Sequence, residues 1–310
     1  MNKKLIMAFM ATIIAIPTTA QAALKSEAPL SVPTLAILDT ALNTSLPIFQ
    51  DKIAYEVCIL DWNSCPNGTS FMEGPGSSVL PMNMLVSSNF NHGTQMASAA
   101  ISANPNMKIV FVRIIGNTGT GKRQLTGPNS VAKALKWVYD NKTRLNIQAV
   151  SMSQGHHNLL KLFSYCPTHG EVDLQIRNLK SINVPAFFPT GNGYDYKRVD
   201  WPACQPYAIA IGATDQYGEI ESYSNVDSKQ TSFYAKGTAR VFFPSGSEGN
   251  AAGTSVSAQI AAAQWIALKS AKPLLSYQEI YNLLKNTGTP TKNAHINSGI
   301  LINLQAAING

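Results

Sequence analysis

Short apolar runs rich in β-forming residues alternate with amphipathic helical patterns along most of this 310-residue chain. The runs are nearly continuous in apolar residues, as in TLAILD (34–39) and IQAVSMS (147–153), which is typical of strands buried on both faces. The pattern predicts a mostly parallel central sheet with helices on both faces, an α/β fold. Further strands are predicted at 107–115, 185–190 and 207–213, and helices at 93–102, 129–144 and 171–182, from 254, at 276–286 and near the end of the chain.

The first 22 residues have the pattern of a secretory signal. Two lysines precede an apolar run over 5–16, and Ala-Gln-Ala at 20–22 has the small-x-small form of a cleavage site. A membrane anchor is the less favoured alternative, because a spanning helix needs roughly 20 apolar residues and the run has about a dozen. We predict cleavage after Ala22, a short segment over 23–33 without a prodomain, and a single domain over 34–310. The protein is then secreted or periplasmic.

The distribution of charge argues against nucleic-acid binding, and the sequence of one loop argues against a phosphate-binding site. The chain has 24 basic and 17 acidic residues without a Lys/Arg-rich run, so nucleic-acid binding is not predicted. The segment GNTGTGKR (116–123) nearly matches a phosphate-binding loop. However, Arg123 stands where a Ser or Thr would hold magnesium, and the next predicted helix begins several residues later. A glycine-rich surface loop is the better interpretation.

Four cysteines follow the signal, and export permits disulfides. Three pairings are possible, and the simplest joins Cys58 to Cys65 and Cys166 to Cys204. A competing interpretation is a zinc cluster, although it lacks a second close-spaced ligand pair. Its ligands would be Cys166, His156, His157 and His169.

Four polar residues stand at strand ends or helix starts, among glycines and small residues. Asp39 ends the run AILD, His92 opens NFNHGTQMASAA, Asn192 follows a strand in FFPTGNGYD, and Ser255 opens GNAAGTSVSAQIAAAQW. Each has an ordinary structural explanation on its own, as a cap or a turn residue. Ser255 does not fit the nucleophile elbow of α/β-hydrolases, because Ser257 replaces the closing glycine. Together, however, such ends gather at one edge of a parallel sheet, where α/β folds place their sites.

The order Asp, His, Asn, Ser and its settings resemble the subtilisin-like serine peptidases, the subtilases, over essentially the whole chain after the signal. The segments AILDTAL, HGTQMAS, TGNG and AGTSVSA carry the resemblance. It implies a three-layer subtilisin-like fold with Ser255 as the nucleophile, His92 as the general base and Asp39 orienting the imidazole. It also implies that the Asn192 amide and the Ser255 N–H stabilise the oxyanion.

The resemblance extends to substrate binding. AVSMSQGH is similar to the family segment that pairs with the substrate backbone and forms one wall of the S1 pocket. The implied substrate-binding residues are Ser153, Gln154 and Gly155 on that wall, Thr190 and Gly191 on the opposite wall, and Gly119 and Gly121 at another edge.

The chain departs from the family pattern at four positions. Ala41 replaces a glycine, Gln95 a second histidine, and Gln259 a proline that follows the nucleophile by four residues. Proline is tolerated in the first turn of a helix, so its loss need not move Ser255. Ile48 stands where a calcium-binding Asp is expected, and we predict no metal and no cofactor.

These features predict an exported serine endopeptidase that forms an acyl-enzyme, acts on polypeptides as a monomer, binds no nucleic acid and is not stably inserted in a membrane after signal removal. The alternative is a catalytically impaired subtilase fold that binds peptides, motivated by Ala41 and Gln259. A third possibility is transfer of the acyl group to an amine instead of water.

Overall fold

The computed structural model describes residues 31–118, 120–124, 127–155, 166, 170–296 and 298–310. The predicted signal and Gly119 lie outside these residues. The strands are β1 (Thr34–Asp39), β2 (Ile53–Ile59), β3 (Phe71–Glu73), β4 (Lys108–Arg113), β5 (Gly116–Asn117), β6 (Arg123–Gln124), β7 (Ile147–Met152), β8 (Ala186–Pro189), β9 (Ile209–Thr214), β10 (Thr231–Lys236), β11 (Thr238–Phe242), β12 (Glu248–Ala252), β13 (Thr289–Thr291) and β14 (Gly299–Leu301). The helices are α1 (Met82–Leu85), α2 (His92–Ala103), α3 (Pro128–Asn141), α4 (Gly170–Ser181), α5 (Thr254–Ala271), α6 (Tyr277–Thr287) and α7 (Leu304–Asn309), with a 3₁₀ turn at Pro47–Phe49.

The main sheet has the strand order β13-β14-β10-β9-β8-β7-β1-β4-β2-β3. Every pairing from β2 across to β14 is parallel, and only the edge strands β3 and β13 are antiparallel. The structure therefore confirms the predicted mostly parallel sheet. The hairpins β5–β6 and β11–β12 lie outside it.

Two apolar layers hold the helices on opposite faces of the sheet. Val110 and Val112 of β4 belong to the cluster that includes the buried residues of α3 and α4. Their neighbours Ile109 and Phe111 belong to the cluster that includes α2, α5, α6 and α7. Successive side chains of a strand point to opposite faces, so one apolar strand supplies both layers. The result is the predicted arrangement of helices on both faces.

The structure contains two disulfides, Cys58–Cys65 and Cys166–Cys204, the simplest of the three possible pairings. Because Cys166 is bonded to Cys204, it is not available as a zinc ligand, and the zinc interpretation loses its cysteine. The three histidines of that interpretation, at 156, 157 and 169, lie outside the described residues.

Candidate active site

The four candidate residues lie at the carboxyl edge of the central strands. Asp39 is the last residue of β1, and Asn192 follows β8 by three residues. His92 is the first residue of α2, and Ser255 is the second residue of α5. Helix α5 packs against β1, β7, β8 and β9, so its first turn lies beside the loops that follow β7 and β8. The fold therefore brings the predicted residues to one edge, as expected for parallel strands.

Asp39 and His92 form a hydrogen-bonded pair. His92 Nδ1 lies 2.8 Å from Asp39 Oδ1 and 3.0 Å from Oδ2. The carboxylate is fully buried, whereas the imidazole is 29% exposed. A carboxylate that contacts Nδ1 favours the tautomer with the proton on that nitrogen, so Nε2 keeps its lone pair. The Asp39 carboxylate thus fixes the orientation of the imidazole ring and leaves Nε2 as its proton acceptor.

Thr40 connects the end of β1 to the start of α2. Its backbone N–H donates to Asp39 Oδ1 at 2.7 Å, and its hydroxyl donates to the Phe90 carbonyl at 2.8 Å. The same hydroxyl oxygen accepts from the Gly93 N–H at 2.9 Å. One residue therefore fixes both the carboxylate and the helix start that carries His92.

Gln154 reaches Asp39 with its side chain. Its Nε2 donates to Asp39 Oδ1 at 2.9 Å and lies 3.2 Å from His92 Nδ1. Arg123, from the hairpin β5–β6, donates in turn to Gln154 Oε1. The backbone of Gln154 belongs to the predicted S1 wall, but its amide is a partner of the Asp–His pair, which the sequence did not indicate.

Ser255 is joined to Ser153 in two ways. Its Oγ donates to the Ser153 carbonyl over a long 3.4 Å, and Ser153 Oγ donates to the Ser255 carbonyl at 3.1 Å. Fully buried Gln259 donates from Nε2 to Ser153 Oγ at 2.9 Å. Gln259, at the position where the family pattern has a proline, therefore supports the segment that carries Ser255 through Ser153. No hydrogen bond joins Ser255 to His92 in the part of the chain that the structure describes.

Asn192 is oriented by the residue before Ser255. Its Oδ1 accepts from the Thr254 N–H at 2.9 Å and from the Thr254 hydroxyl at 3.0 Å. Because the side-chain oxygen is used in this way, the amide nitrogen Nδ2 is left to donate elsewhere. Thr254 was not among the predicted site residues, although it directly precedes Ser255 in the motif.

Five of the seven predicted substrate-binding residues form two segments beside the start of α5. Ser153 to Gly155 follow β7 and contact Ser255 through Ser153. Thr190 and Gly191 follow β8, and the Gly191 N–H donates to Thr254 Oγ1 at 3.2 Å. Gly121 lies in the turn of the hairpin β5–β6, where its carbonyl accepts from Asn89 Nδ2.

A buried cation lies on the strand next to Asp39. Arg113 of β4 is in register with Asp39 and is fully buried, with Nε donating to the Ile115 carbonyl at 3.2 Å. Burial lowers the pKa of Arg113 to about 10, because an apolar environment disfavours the charged form. The guanidinium therefore stays charged at neutral pH.

The other departures from the family pattern lie outside this network. Gln95 donates to Asn91 Oδ1 at 3.0 Å and is not bonded to the Asp–His pair. Among the residues with described positions, no group of three or more His, Cys, Asp or Glu side chains could hold a metal ion. The absence of metal remains a prediction.

Comparisons with known proteins identify the family of the chain. The sequence profile of the subtilase family, peptidase S8, matches residues 31–300. The chain is 24% identical over 241 residues to an alkaline protease of Alkalihalobacillus alcalophilus, covering 75% of this chain and 58% of that protein. It has the same identity to Subtilisin Savinase of Lederbergia lenta, covering 75% and 82%. It thus spans little more than half the length of the first of these relatives.

Solved structures share the fold. The chain resembles a structure of proteases from Pseudoalteromonas arctica with a TM-score of 0.70 and 19% identity, over 89% of both chains. It also resembles a cold-adapted subtilisin-like serine proteinase with a TM-score of 0.65 and 18% identity, over 88% of both chains. At these identities the likeness concerns the fold alone, and it confirms the predicted subtilisin-like arrangement. Because the family profile covers nearly all of the described residues, the chain belongs to the subtilase family.

Proposed function

We propose that this chain is the catalytic domain of an exported serine endopeptidase, with Ser255, His92 and Asp39 as its triad. The observation that supports the proposal most directly is the contact of both carboxylate oxygens of buried Asp39 with His92 Nδ1. This contact leaves Nε2 as the nitrogen that accepts a proton. A binding protein has no need of an imidazole held in this way.

In the first step, Ser255 Oγ attacks the carbonyl carbon of the scissile peptide bond, and His92 Nε2 takes the hydroxyl proton. Asp39 stabilises the imidazolium through Nδ1–H. The carbonyl oxygen becomes an oxyanion, which Asn192 Nδ2 and the Ser255 N–H stabilise. The Ser255 N–H belongs to the first turn of α5, where helix N–H groups have no partner within the helix and the helix dipole favours negative charge.

The intermediate then collapses to an acyl-enzyme. His92 gives its proton to the leaving amine as the C–N bond breaks, and the amine departs. A water molecule attacks the acyl carbon while His92 again accepts a proton, and the second collapse returns that proton to Ser255 Oγ and releases the carboxylic acid. Protons and electron pairs balance over the cycle without a cofactor.

Ser255 must turn toward His92 to start this cycle. Its present contact with the Ser153 carbonyl is 3.4 Å long, which exceeds the usual length of about 2.5–3.0 Å for an O–H···O hydrogen bond and makes it weak. A hydrogen bond to the imidazole requires the Ser255 hydroxyl to leave this contact. Catalytic hydrogen bonds are often long or misaligned without substrate, so the observed rotamer is compatible with the proposal.

The proposal includes export of the protein and a polypeptide as its class of substrate. The two disulfides, Cys58–Cys65 and Cys166–Cys204, are typical of oxidising compartments, and the signal pattern over 1–22 supports secretion or a periplasmic location. No helix in the described ranges has both the length and the apolarity to cross a bilayer. We propose a polypeptide substrate and a monomeric enzyme.

One observation favours a second candidate. The Ser255 hydroxyl contacts the Ser153 carbonyl and not His92, which would suit a subtilase fold that binds peptides without cleaving them. The two candidate functions differ in whether a bound peptide is cleaved. Such a protein would hold a peptide tightly and release it unchanged.

Hydrolysis of an unfolded protein substrate, followed by mass spectrometry of the products, tests the proposal. The wild-type protein should cut peptide bonds and leave free carboxyl ends. Ser255→Ala should lower kcat by about 10⁶-fold, the size known for a subtilisin-type triad. Intact substrate after incubation with folded wild-type protein would favour the second candidate, and products joined to an added amine would indicate acyl transfer.

A further inference from the structure

The turn between α5 and α6 presents a leucine to solvent. Leu274 is 96% exposed, the largest exposed fraction among the large apolar side chains that the structure describes. Lys269 holds the backbone of the turn, since its Nζ donates to the Pro273 carbonyl at 2.8 Å and also to the Leu275 carbonyl. The turn therefore holds Leu274 outward, where its burial against a partner would be favourable.

This turn lies at the edge of the main sheet opposite the candidate active site. Ser255 is in the first turn of α5, which has 18 residues and a length of about 27 Å. Helix α6 starts next to β8, because the Tyr277 N–H donates at 2.9 Å to Oδ1 of Asn183, which precedes that strand. Leu274 therefore projects from the amino edge of the sheet, where the parallel strands begin.

Four lysines surround the turn. Lys180 lies in the last turn of α4, with Nζ 5.2 Å from the centre of the Tyr277 ring. Lys272 directly follows α5, and Lys142 directly follows α3. Partial burial, together with the nearby charge of Lys142, lowers the pKa of Lys269. The ends of three helices therefore bring these cations together.

Tyr207 is a second exposed apolar group beside these lysines. It is 45% exposed, and Lys180 Nζ lies 4.7 Å from the centre of its ring. Cations are favoured at helix C-termini, which explains the lysines but not the exposure of Tyr207 and Leu274. We define the amino-edge patch as Lys142, Lys180, Tyr207, Lys269, Lys272 and Leu274.

The charge balance differs between the two edges of the sheet. Within the described ranges, no carboxylate forms an ion pair with a lysine of the patch, and Glu279 is the acid that acts electrostatically on Lys269. Several acids follow β8 and β9 at the carboxyl edge, namely Asp195, Asp215, Glu219 and Glu221. An anionic surface therefore attracts the amino edge more strongly than the edge that holds the candidate active site.

We propose that the amino-edge patch docks this protein onto a bilayer that contains anionic phospholipids, with Leu274 among the headgroups and the candidate active site facing away. Each lysine near such a surface strengthens binding about fivefold, and an inserted apolar side chain supplies the second contribution that membrane binding needs. The contact is peripheral and reversible, and it does not depend on the proposed catalysis.

Co-sedimentation with vesicles tests this proposal. The exported protein is used after mass spectrometry has confirmed loss of the signal, because the apolar run over 5–16 would bind lipid by itself. Binding should be at least about tenfold tighter to phosphatidylcholine vesicles with about 30% phosphatidylglycerol than to phosphatidylcholine alone. Raising the salt from about 0.1 M to 0.5 M should abolish this preference by screening. Equal binding to both vesicles, or to neither, would overturn the proposal.

Variants locate the contact on the patch. Lys142→Gln combined with Lys272→Gln should weaken binding to the anionic vesicles about 30-fold. Leu274→Ala should weaken it about tenfold, because the lost methyl and methylene groups no longer leave water. Circular dichroism and thermal unfolding check that the variants are folded.

Matched controls remove similar groups from the carboxyl edge. Lys197→Gln combined with Lys236→Gln takes away two exposed lysines there, and Tyr217→Ala takes away a side chain that is 83% exposed. Both controls should bind the anionic vesicles like the wild type. A loss as large as that of the patch variants would show that net charge or general apolarity drives binding, and would overturn the proposal.

An added indole reports the orientation without removing a lysine. Leu274→Trp should gain fluorescence that brominated phosphatidylcholine quenches in the anionic vesicles, whereas Tyr217→Trp should gain none that is quenched. The opposite result would place the carboxyl edge on the membrane. Binding to soluble dextran sulfate but not to vesicles would assign the patch to a soluble polyanion. A dimer that Leu274→Ala abolishes, without vesicle binding, would assign it to a second copy. Each of these three outcomes overturns the proposal, and none depends on peptidase activity.

Discussion

The two ends of the Asn192 amide have different roles, a structural contact for the oxygen and a proposed catalytic contact for the nitrogen. Its oxygen accepts two hydrogen bonds from Thr254, and this sets the direction of its amide nitrogen. The hydrogen bonds hold the group before a substrate arrives, so the proposed contact with the oxyanion requires no reorganisation of the side chain.

Asn192→Ala should lower kcat by about 10²–10³-fold with a small change in KM, as for the loss of one oxyanion donor. The reason is that the donor acts on charge that develops only in the transition state. Steady-state kinetics on one peptide substrate measures both constants. A rise in KM at unchanged kcat would show that Asn192 binds the substrate instead.

Gln154 supports Asp39 from the predicted S1 wall. A hydrogen bond to a charged group contributes about 1.5–3 kcal/mol, so Gln154→Leu should lower kcat by about tenfold or more while KM stays near its wild-type value. Arg123→Met should have a weaker effect of the same kind, since Arg123 acts on Asp39 only through the amide of Gln154. A variant that raises KM and keeps kcat would assign Gln154 to substrate binding.

The sequence predicts the principal site residues better than their supporting contacts. Asp39, His92, Asn192 and Ser255 lie in short motifs because the chemistry requires small neighbours and a strand end or helix start next to each. The residues that support them through hydrogen bonds do not lie in such motifs. Gln154 and Asp39 are 115 positions apart, and only the folded sheet edge brings them together.

The junction of β1 with α2 depends on a close approach of two backbones. A Cβ added to Gly93 would overlap the Ala41 carbonyl oxygen and lie 2.7 Å from Phe111 Cζ. Ala41 itself is fully buried. The glycine of the HGT motif is therefore required at this site for packing, and the departure at Ala41 does not remove that requirement.

Gly93→Ala should lower the free energy of unfolding by about 1–3 kcal/mol, the usual cost of overpacking. It should also lower activity, because the backbone that moves carries His92. Gly170→Ala is the matched control, since Gly170 opens α4 and, among the described residues, no atom lies within 4 Å of an added Cβ. The control should be neutral or slightly more stable. Urea unfolding of both variants measures the difference, and equal stabilities would contradict this account of Gly93.

Elements with a single clear pattern were predictable, and those with mixed patterns were not. The apolar run of β1 and the amphipathic pattern of α3 lie within a few residues of their predicted bounds. Strand β2 was not predicted, because Glu56 interrupts its apolar residues. In the fold Glu56 is buried and its oxygens accept from the Gly76 N–H and from the N–H and hydroxyl of Ser78, which a local pattern does not reveal.

At the scale of the molecule, the carboxyl edge of the main sheet receives residues that are far apart in the sequence. Asp39 comes from β1, and Ser255 comes from α5, more than 200 positions later. Helix α5 reaches them because its small residues let it pack against β1, β7, β8 and β9 together. The general α/β class followed from the sequence pattern, whereas the strand order required the structure, because local patterns do not specify which strands pair.

The most direct test of the central claim is labelling by a fluorophosphonate probe, which reacts with a serine only when a base activates it. The folded wild-type protein should take up one probe molecule, and peptide mass spectrometry should place it on Ser255. Ser255→Ala should not react, and His92→Ala should react far more slowly because it lacks the proton acceptor. Folded wild-type protein that remains unlabelled, or that carries the probe on another residue, would contradict the triad proposed here.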